Sequence, residues 1–342
     1  MKIRWPARIA VILAAILACA EGYCLWTVYS ASAVTKPANL GNTPENISRV
    51  EHNIGNPLKF AVVSDIHGKF GTFEKLLGQL RNEHLAFIVL LGDIAYLEST
   101  IPEHKFLQLE IQETGVQCPI FYVVGNHDFR DNHDPRFFTT KMWRETYGPD
   151  QFAFTVNGNL FIMLNCQKEN QTTEASADFL KQALEKRDAE RVFVFNHIPP
   201  MPLGLKGSLP QELSVPLLEI IKAYGVDYVL SGHNHTYAAF NYSGTRFLIS
   251  GGGGGGFHEP VKFGFHHAML FSISDAGVEE RLIVVNANDT LEDRLQRMIL
   301  LTIYPFFLAW RVQALCANLL IFAVLAVIIY CGTRRSRRIE WN

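Results

Sequence analysis

Apolar positions along this chain come in two kinds. Long unbroken runs stand near its ends, and between them short runs of Val, Ile, Leu and Phe alternate with stretches that repeat apolar residues every three or four positions. Residues 9 to 29, IAVILAAILACAEGYCLWTVY, are apolar apart from Glu21, and residues 312 to 332, VQALCANLLIFAVLAVIIYCG, carry no charge. A helix of about 20 such residues crosses a bilayer. The pattern therefore predicts a transmembrane helix or signal segment over 9–29 and a transmembrane helix over 312–332. Ala18-Cys19-Ala20 fits a signal-cleavage site, whereas the continuation GYCLWTVY fits an uncleaved anchor; either reading exports the chain beyond it. Lys2, Arg4 and Arg8 make residues 1–8 basic, as Arg334, Arg335, Arg337 and Arg338 do for 333–342. The positive-inside rule keeps both ends in the cytoplasm and the chain between the spans outside it. Residues 287–311, with RMILLTIYPFFLAWR, have too short an apolar stretch to span and read as a juxtamembrane, interfacial segment.

Residues 30–57 are polar, rich in Pro, Gly and Asn, and read as a linker. From 58 to 286 the runs KFAVVS, LAFIVLLGD, PIFYVVGNHD, QFAFTV, NLFIMLN, RVFVFNH, VDYVLSGH, TRFLISG, HAMLFSIS and VEERLIVVN are separated by helical patterns such as TFEKLLGQLRN, PEHKFLQLEIQETG, DFLKQALEKR and PLLEIIKAYG. Continuous apolar strands alternating with amphipathic helices predict one α/β domain whose sheets are covered by helices.

Composition narrows the class only slightly. With a net charge of −2, 48% hydrophobic and 19% charged residues, the 342-residue chain has no basic excess, and no nucleic-acid partner is expected. Of six cysteines only Cys118 and Cys166 fall in the exported part, and no CxxC is present, so cysteine-based zinc is excluded. An oxidising compartment would permit those two to pair. Sequons begin at Asn46, Asn170, Asn241 and Asn288.

The chemistry lies where the apolar runs end. Asp65 and His67, Asp93, Asn126 and His127, His197, and His233 with His235 each follow one, and ligands of open α/β sheets gather at the carboxyl ends of strands. In LSGHNHTYAAF, His233 and His235 stand two apart, which on an extended segment turns both imidazoles to one side and toward one point. Imidazole and carboxylate suit Zn, Fe or Mn. About seven such groups are more than one tetrahedral ion needs and imply two, placed to clamp a phosphoryl group and activate a water.

In their order, D-x-H, G-D, G-N-H-D, a lone His and G-H-x-H resemble the calcineurin-like metallophosphoesterase superfamily over residues 58–286. That resemblance implies a four-layered α/β/β/α sandwich flanked here by the two transmembrane helices. It also implies one divalent metal ion held by Asp65, His67, Asp93 and His235, and a second held by Asp93, Asn126, His197 and His233. His127 would then be catalytic, near the leaving oxygen. The protein phosphatases of the superfamily carry Asp where this chain has Tyr96, and Arg where it has Leu97, which sets it apart from that branch. Purple acid phosphatases carry Tyr there but lack the D-x-H histidine, so His67 is read as the ligand and Tyr96 as its neighbour.

The expectation is a membrane-anchored, extracytoplasmic phosphoesterase acting on a phosphomonoester or phosphodiester through a metal-activated hydroxide. Two anchors beside a lipid bilayer suit a lipid-linked phosphoester substrate. The reading from another class is a catalytically weak metal-binding receptor or scaffold in a membrane complex. SGGGGGGFHEP, residues 250 to 260, reads either as a phosphate cradle or as a floppy loop. His258, His266 and His267 line the pocket or face solvent, and HIPPMPLGLKGSLP forms a rim.

Overall fold

The computed structural model describes residues 5–52, 55–96, 99–131, 137–166, 173–200, 209, 211–257, 264–286, 290–304, 306 and 310–339. The chain divides into two compact units, Met1–Ala33 with Leu295–Asn342, and Val34–Arg294. The first unit pairs helix α1 (Trp5–Ala33) with helix α9 (Arg311–Ile339). Ala7, Ala10, Thr27 and Ala31 are the buried positions of α1, small enough to let helices approach closely. The Thr27 hydroxyl is satisfied within its own helix by the Tyr23 carbonyl at 2.9 Å. Trp5–Ala33 and Val312–Cys331 are long and apolar enough to cross a membrane by length and composition.

The second unit is built on two sheets. The first has the order β11-β10-β1-β2-β3, formed by β1 (Leu58–Val63), β2 (Phe87–Leu91), β3 (Ile120–Val123), β10 (His266–Ser274) and β11 (Gly277–Val285). The second has the order β4-β5-β6-β7-β9-β8, formed by β4 (Phe152–Val156), β5 (Asn159–Met163), β6 (Arg191–Phe195), β7 (Tyr228–Ser231), β8 (Tyr237–Tyr242) and β9 (Thr245–Ser250). Strands β1, β2 and β3 run parallel, as do β5, β6, β7 and β9, so their carboxyl ends share an edge. The period-two alternation of strands divides the apolar runs between faces. Phe161, Met163, Phe193 and Phe195 face the first sheet, while Leu160, Ile162, Val192 and Val194 meet Leu180 and Leu184 of α6 (Thr173–Glu185) and Leu217 and Ile221 of α7 (Gln211–Tyr224). Between the sheets Phe60 stacks on Phe87 and Phe271 at 5.1 and 4.6 Å and meets Phe161, Phe193 and Phe195 edge-on. Across the first sheet α3 (Phe70–Leu80) packs beside α4 (Ile101–Thr114) and against β11. The result is a layered α/β fold with two sheets, as the strand and helix pattern predicts.

Three elements differ from the sequence reading. The expected linker 30–57 contains α2 (Thr43–His52), with Thr43, Asn46 and Val50 buried. Just before it, the Gly41 N–H donates to Ile120 O at 3.0 Å and the Ile120 N–H to Asn39 O at 2.7 Å, so this segment extends the edge at β3. Its polar composition concealed a packed element, because a few apolar groups, Leu40, Ile47 and Val50, are joined by side-chain amides in fixing it: Asn39 Nδ2 donates to the carbonyls of Val116 and Cys118, each at 2.9 Å. Helix α5 (Thr140–Tyr147) buries only Trp143 and Tyr147, one turn apart. Strand β8 is an exposed edge without a regular alternation of apolar residues. Cys118 and Cys166 are free thiols. Between residues 287 and 311 the described residues form α8 (Leu291–Met298) and a π-helical turn, Ile299–Ile303.

Candidate metal centre

All five polar clusters emerge at the shared strand edge, and the loops are laced together before any side chain is considered. Asp65 N–H donates to Gly92 O and His67 N–H to Asp93 O, at 3.0 and 3.1 Å, joining the ends of β1 and β2. Gly232 N–H donates to His197 O at 2.9 Å, joining those of β7 and β6. At Gly92, φ is +87° and a Cβ would lie 2.5 Å from His197 Nδ1, so a side chain there would displace the imidazole.

The side chains form two groups. Asp65, His67 and His235 offer ligand atoms within 4.8 Å of one another, and so do Asp93, His197 and His233. All but His233, which is half-buried, are buried. Asp93 Oδ2 lies 3.6 Å from His67 Nε2 and 3.0 Å from His197 Nε2, between the groups. The expectation that His233 and His235 converge on one point is corrected. This segment is bent rather than extended, His233 has φ +65°, and the two imidazoles go to different groups.

The donor atoms are prepared for cations. A backbone carbonyl can only accept, so the contacts of His67 Nδ1 with Tyr96 O, of His197 Nδ1 with Leu91 O and of His235 Nδ1 with Gly256 O place the proton on Nδ1 in each ring. Each Nε2 is left with a lone pair aimed inward, the usual outer support of a metal-binding histidine. Two of these atoms, on His67 and His235, stand 2.9 Å apart, where facing lone pairs repel unless a cation lies against both. Asn126 Oδ1 is buried with no hydrogen-bond partner and His197 Nε2 has only the Asp93 carboxylate before it, at 3.0 Å, whereas buried polar atoms are otherwise almost always satisfied. The residues present therefore fit two divalent ions.

Charge in the site points the same way. Burial would raise the carboxyls of Asp65 and Asp93, yet the surrounding imidazoles hold both below the ordinary range. His197 answers them: burial would lower it, but the Asp93 carboxylate pushes it up to about 10. Burial and then the His197 charge push His233 down to about 4. The pair of buried carboxylates thus draws positive charge into a place where burial resists the protonation of imidazole.

His127 is half-buried, its N–H donates to Asp93 Oδ1 at 2.8 Å, and its ring lies 5.2 Å from that of His67. Tyr96 gives its carbonyl to His67 while the residue is 43% exposed, so at this position the main chain serves the site. His267 is fully buried and His266 half-buried; His258 and residues 201–208 of the expected rim lie outside the described residues.

One residue that the sequence reading passed over organises the loops. Asp128 is fully buried and accepts from the N–H groups of Asp93, Ile94 and Gly125 and from the Tyr122 hydroxyl, at 2.7 to 2.9 Å. Burial and the nearby Asp93 raise its carboxyl above the usual range. Its place as the last residue of GNHD was the available signal.

Two sheets meeting at an edge that carries two acid–imidazole groups define a class of binuclear metal-dependent phosphoester hydrolases. The calcineurin-like phosphoesterase family model matches residues 58–237, and the chain belongs to that family. It is similar to the serine/threonine-protein phosphatase CPPED1 of Mus musculus, 28% identical over 184 residues, and of Danio rerio, 29% over 185. Each match covers 48% of this chain and 58% of the relative, so the chain spans little more than half the length of the curated relatives it matches. Among solved structures it resembles a dimetal phosphatase from Danio rerio (TM-score 0.51, 14% identity, 67% of this chain and all of that one). It also resembles the purple acid phosphatase PPD1 of yellow lupin (TM-score 0.50, 15% identity, 67% and 52%). Both likenesses are of fold.

Proposed function

We propose that this chain is a membrane-anchored phosphoesterase in which Asp65, His67, Asp93 and His235 hold one divalent ion and Asp93, Asn126, His197 and His233 a second. The observation that carries this is the set of Nε2 atoms freed by backbone carbonyls and turned on two buried carboxylates. When bound, such ions supply Lewis acidity toward phosphoryl oxygens and a water acidic enough to ionise near neutral pH. The chain's own residues do the rest. The carboxylates balance the ions' charge, the carbonyls of Leu91, Tyr96 and Gly256 fix each ring's tautomer, and His127 stands at the rim of the site to give a proton to the leaving alkoxide. Residues 58–286 form the catalytic domain, and helices 9–29 and 312–332 hold it at the extracytoplasmic face of a membrane, within reach of a lipid-linked phosphate. Metal identity among Mn, Fe and Zn is a matter for loading experiments.

Full-length protein in detergent, loaded with manganese, is expected to hydrolyse p-nitrophenyl phosphate or its bis ester, and preference between them sets the ester class. A phosphopeptide arm tests the activity named for the CPPED1 relatives, and a lipid phosphate arm tests the role of the anchors. Asp93→Asn and His235→Asn should each abolish turnover and reduce bound metal; full activity in either variant would overturn the assignment.

A further inference from the structure

The glycine run Gly251–Gly256 between β9 and β10 is tied to the protein by alternate N–H groups: Gly253 donates to Ser64 O and Gly255 to Asp65 O, each at 2.7 Å, and Gly251 donates to Thr236 O at 2.9 Å. Ser64, Asp65 and Thr236 are residues of, or neighbours to, the first acid–imidazole group. The Gly256 carbonyl completes the contact by accepting from His235 Nδ1. The other end is pinned by His267. Its N–H donates to Gly252 O at 2.9 Å, its Nδ1 lies 3.0 Å from Phe265 O, and its Nε2 lies 3.1 Å from the Ser250 hydroxyl.

Space explains why these residues are glycines. A Cβ on Gly252 would lie 2.2 Å from His267 Nδ1, and one on Gly253 would lie 2.2 Å from Ser64 O. One on Gly255 would lie 2.8 Å from His235 Cε1 and 2.9 Å from His67 Cδ2, whereas one on Gly256 would meet nothing within 4 Å. Neither Gly255 nor Gly256 has a positive φ. The demand at Gly255 is therefore for room beside two imidazoles rather than for backbone freedom.

We propose that Gly251–Gly256 is a positioning strap for one half of the metal centre, the half formed by Asp65, His67 and His235. This deepens the two-ion reading and rests on it. The strap fixes the Asp65 backbone through Gly255 N–H, fixes the proton of His235 through Gly256 O, and leaves no gap for either imidazole to swing away. The other half takes Asn126 and His197 from the loops after β3 and β6, and His233 from the loop after β7 that also carries His235, where the His233 N–H donates to the Asp65 carboxylate at 2.9 Å. The strap touches the ligands of the first half directly and those of the second only through Asp65 and the loop after β7, and outer supports of this kind change metal affinity by about 10–100-fold.

The test uses full-length protein in detergent with manganese as the probe, reading metal per chain after desalting and the magnetic coupling of the ions by electron paramagnetic resonance. Wild type is expected to hold two coupled ions. Gly255→Ala should hold one, with an uncoupled signal and a first-site affinity about 10–100-fold weaker. Gly256→Ala adds the same methyl in open space with the carbonyl kept, and should hold two. His267→Asn keeps the bond to Phe265 O, gives up the one to Ser250 without adding atoms, and is expected to weaken the same ion; it decides the matter should Gly255→Ala fail to fold. Two coupled ions at wild-type affinity in whichever of the two variants folds would overturn the strap. Wild type holding fewer than two would instead overturn the two-ion reading.

Discussion

Four residues of the centre, Asp65, His67, Asp93 and His233, occupy left-handed backbone, with φ of 60, 47, 54 and 65°. Such conformations cost non-glycine residues about 1 kcal/mol or more each, and they persist where the surroundings over-determine them. Asp128 is the principal restraint at Asp93, because its carboxylate takes the N–H groups of Asp93 and Ile94 together with that of Gly125. Asp128→Ala would strand those buried donors, and a loss of about 3 kcal/mol of stability is expected, with manganese affinity falling as well. Denaturant unfolding of the two proteins checks the first, and metal titration the second; wild-type values for both would show that the loops hold themselves. The seven ligand candidates were readable because polar groups at the ends of apolar strands advertise themselves. The roles of Asp128 and the glycine run were not, although GNHD and SGGGGGGFHEP both stand out in the sequence, since they act on main-chain atoms, whose partners no motif records.

At the scale of elements, the regular strands could be read from apolar runs, whereas α2, α5 and β8 could not. None of the three has a repeating apolar face: α2 and α5 rest on a few buried side chains, and β8 on its backbone ladder with β9. The segment before β1 shows what this hides. Asn39, Gly41 and α2 close the edge at β3 and cover Val50 over the inter-sheet core. A chain begun at residue 58, where the family model starts, would leave Ile120 with unpaired backbone groups on that edge. Deleting residues 34–57 while retaining the terminal helices is expected to lower the melting temperature by several degrees, on the scale of about 4–8 °C per kcal/mol for a small domain and less for a larger one. Differential scanning calorimetry would detect it, and an unchanged transition would return the segment to the status of a linker.

For the whole molecule, the chain's two long apolar helices and its layered domain were legible as separate regimes, since unbroken apolar runs and alternating strand and helix patterns look different in sequence. How the ions would bear on the fold depends on which strands carry their ligands. Asp65 and His67 come after β1 of the first sheet while His235 comes after β7 of the second, and Asp93 comes after β2 while His197 and His233 come after β6 and β7. Each ion would accordingly rivet one sheet to the other at the open end of the aromatic core. Chelation is expected to lower the melting temperature, and metal restored at a hundred times its dissociation constant should return about 2.7 kcal/mol of stability per ion; calorimetry with and without chelator would show no shift if the folded chain bound no metal. A cell that starves this protein of metal would then do more than silence it: the seam between its sheets would begin to breathe, and the phenylalanines sealed there would become visible to proteases and chaperones.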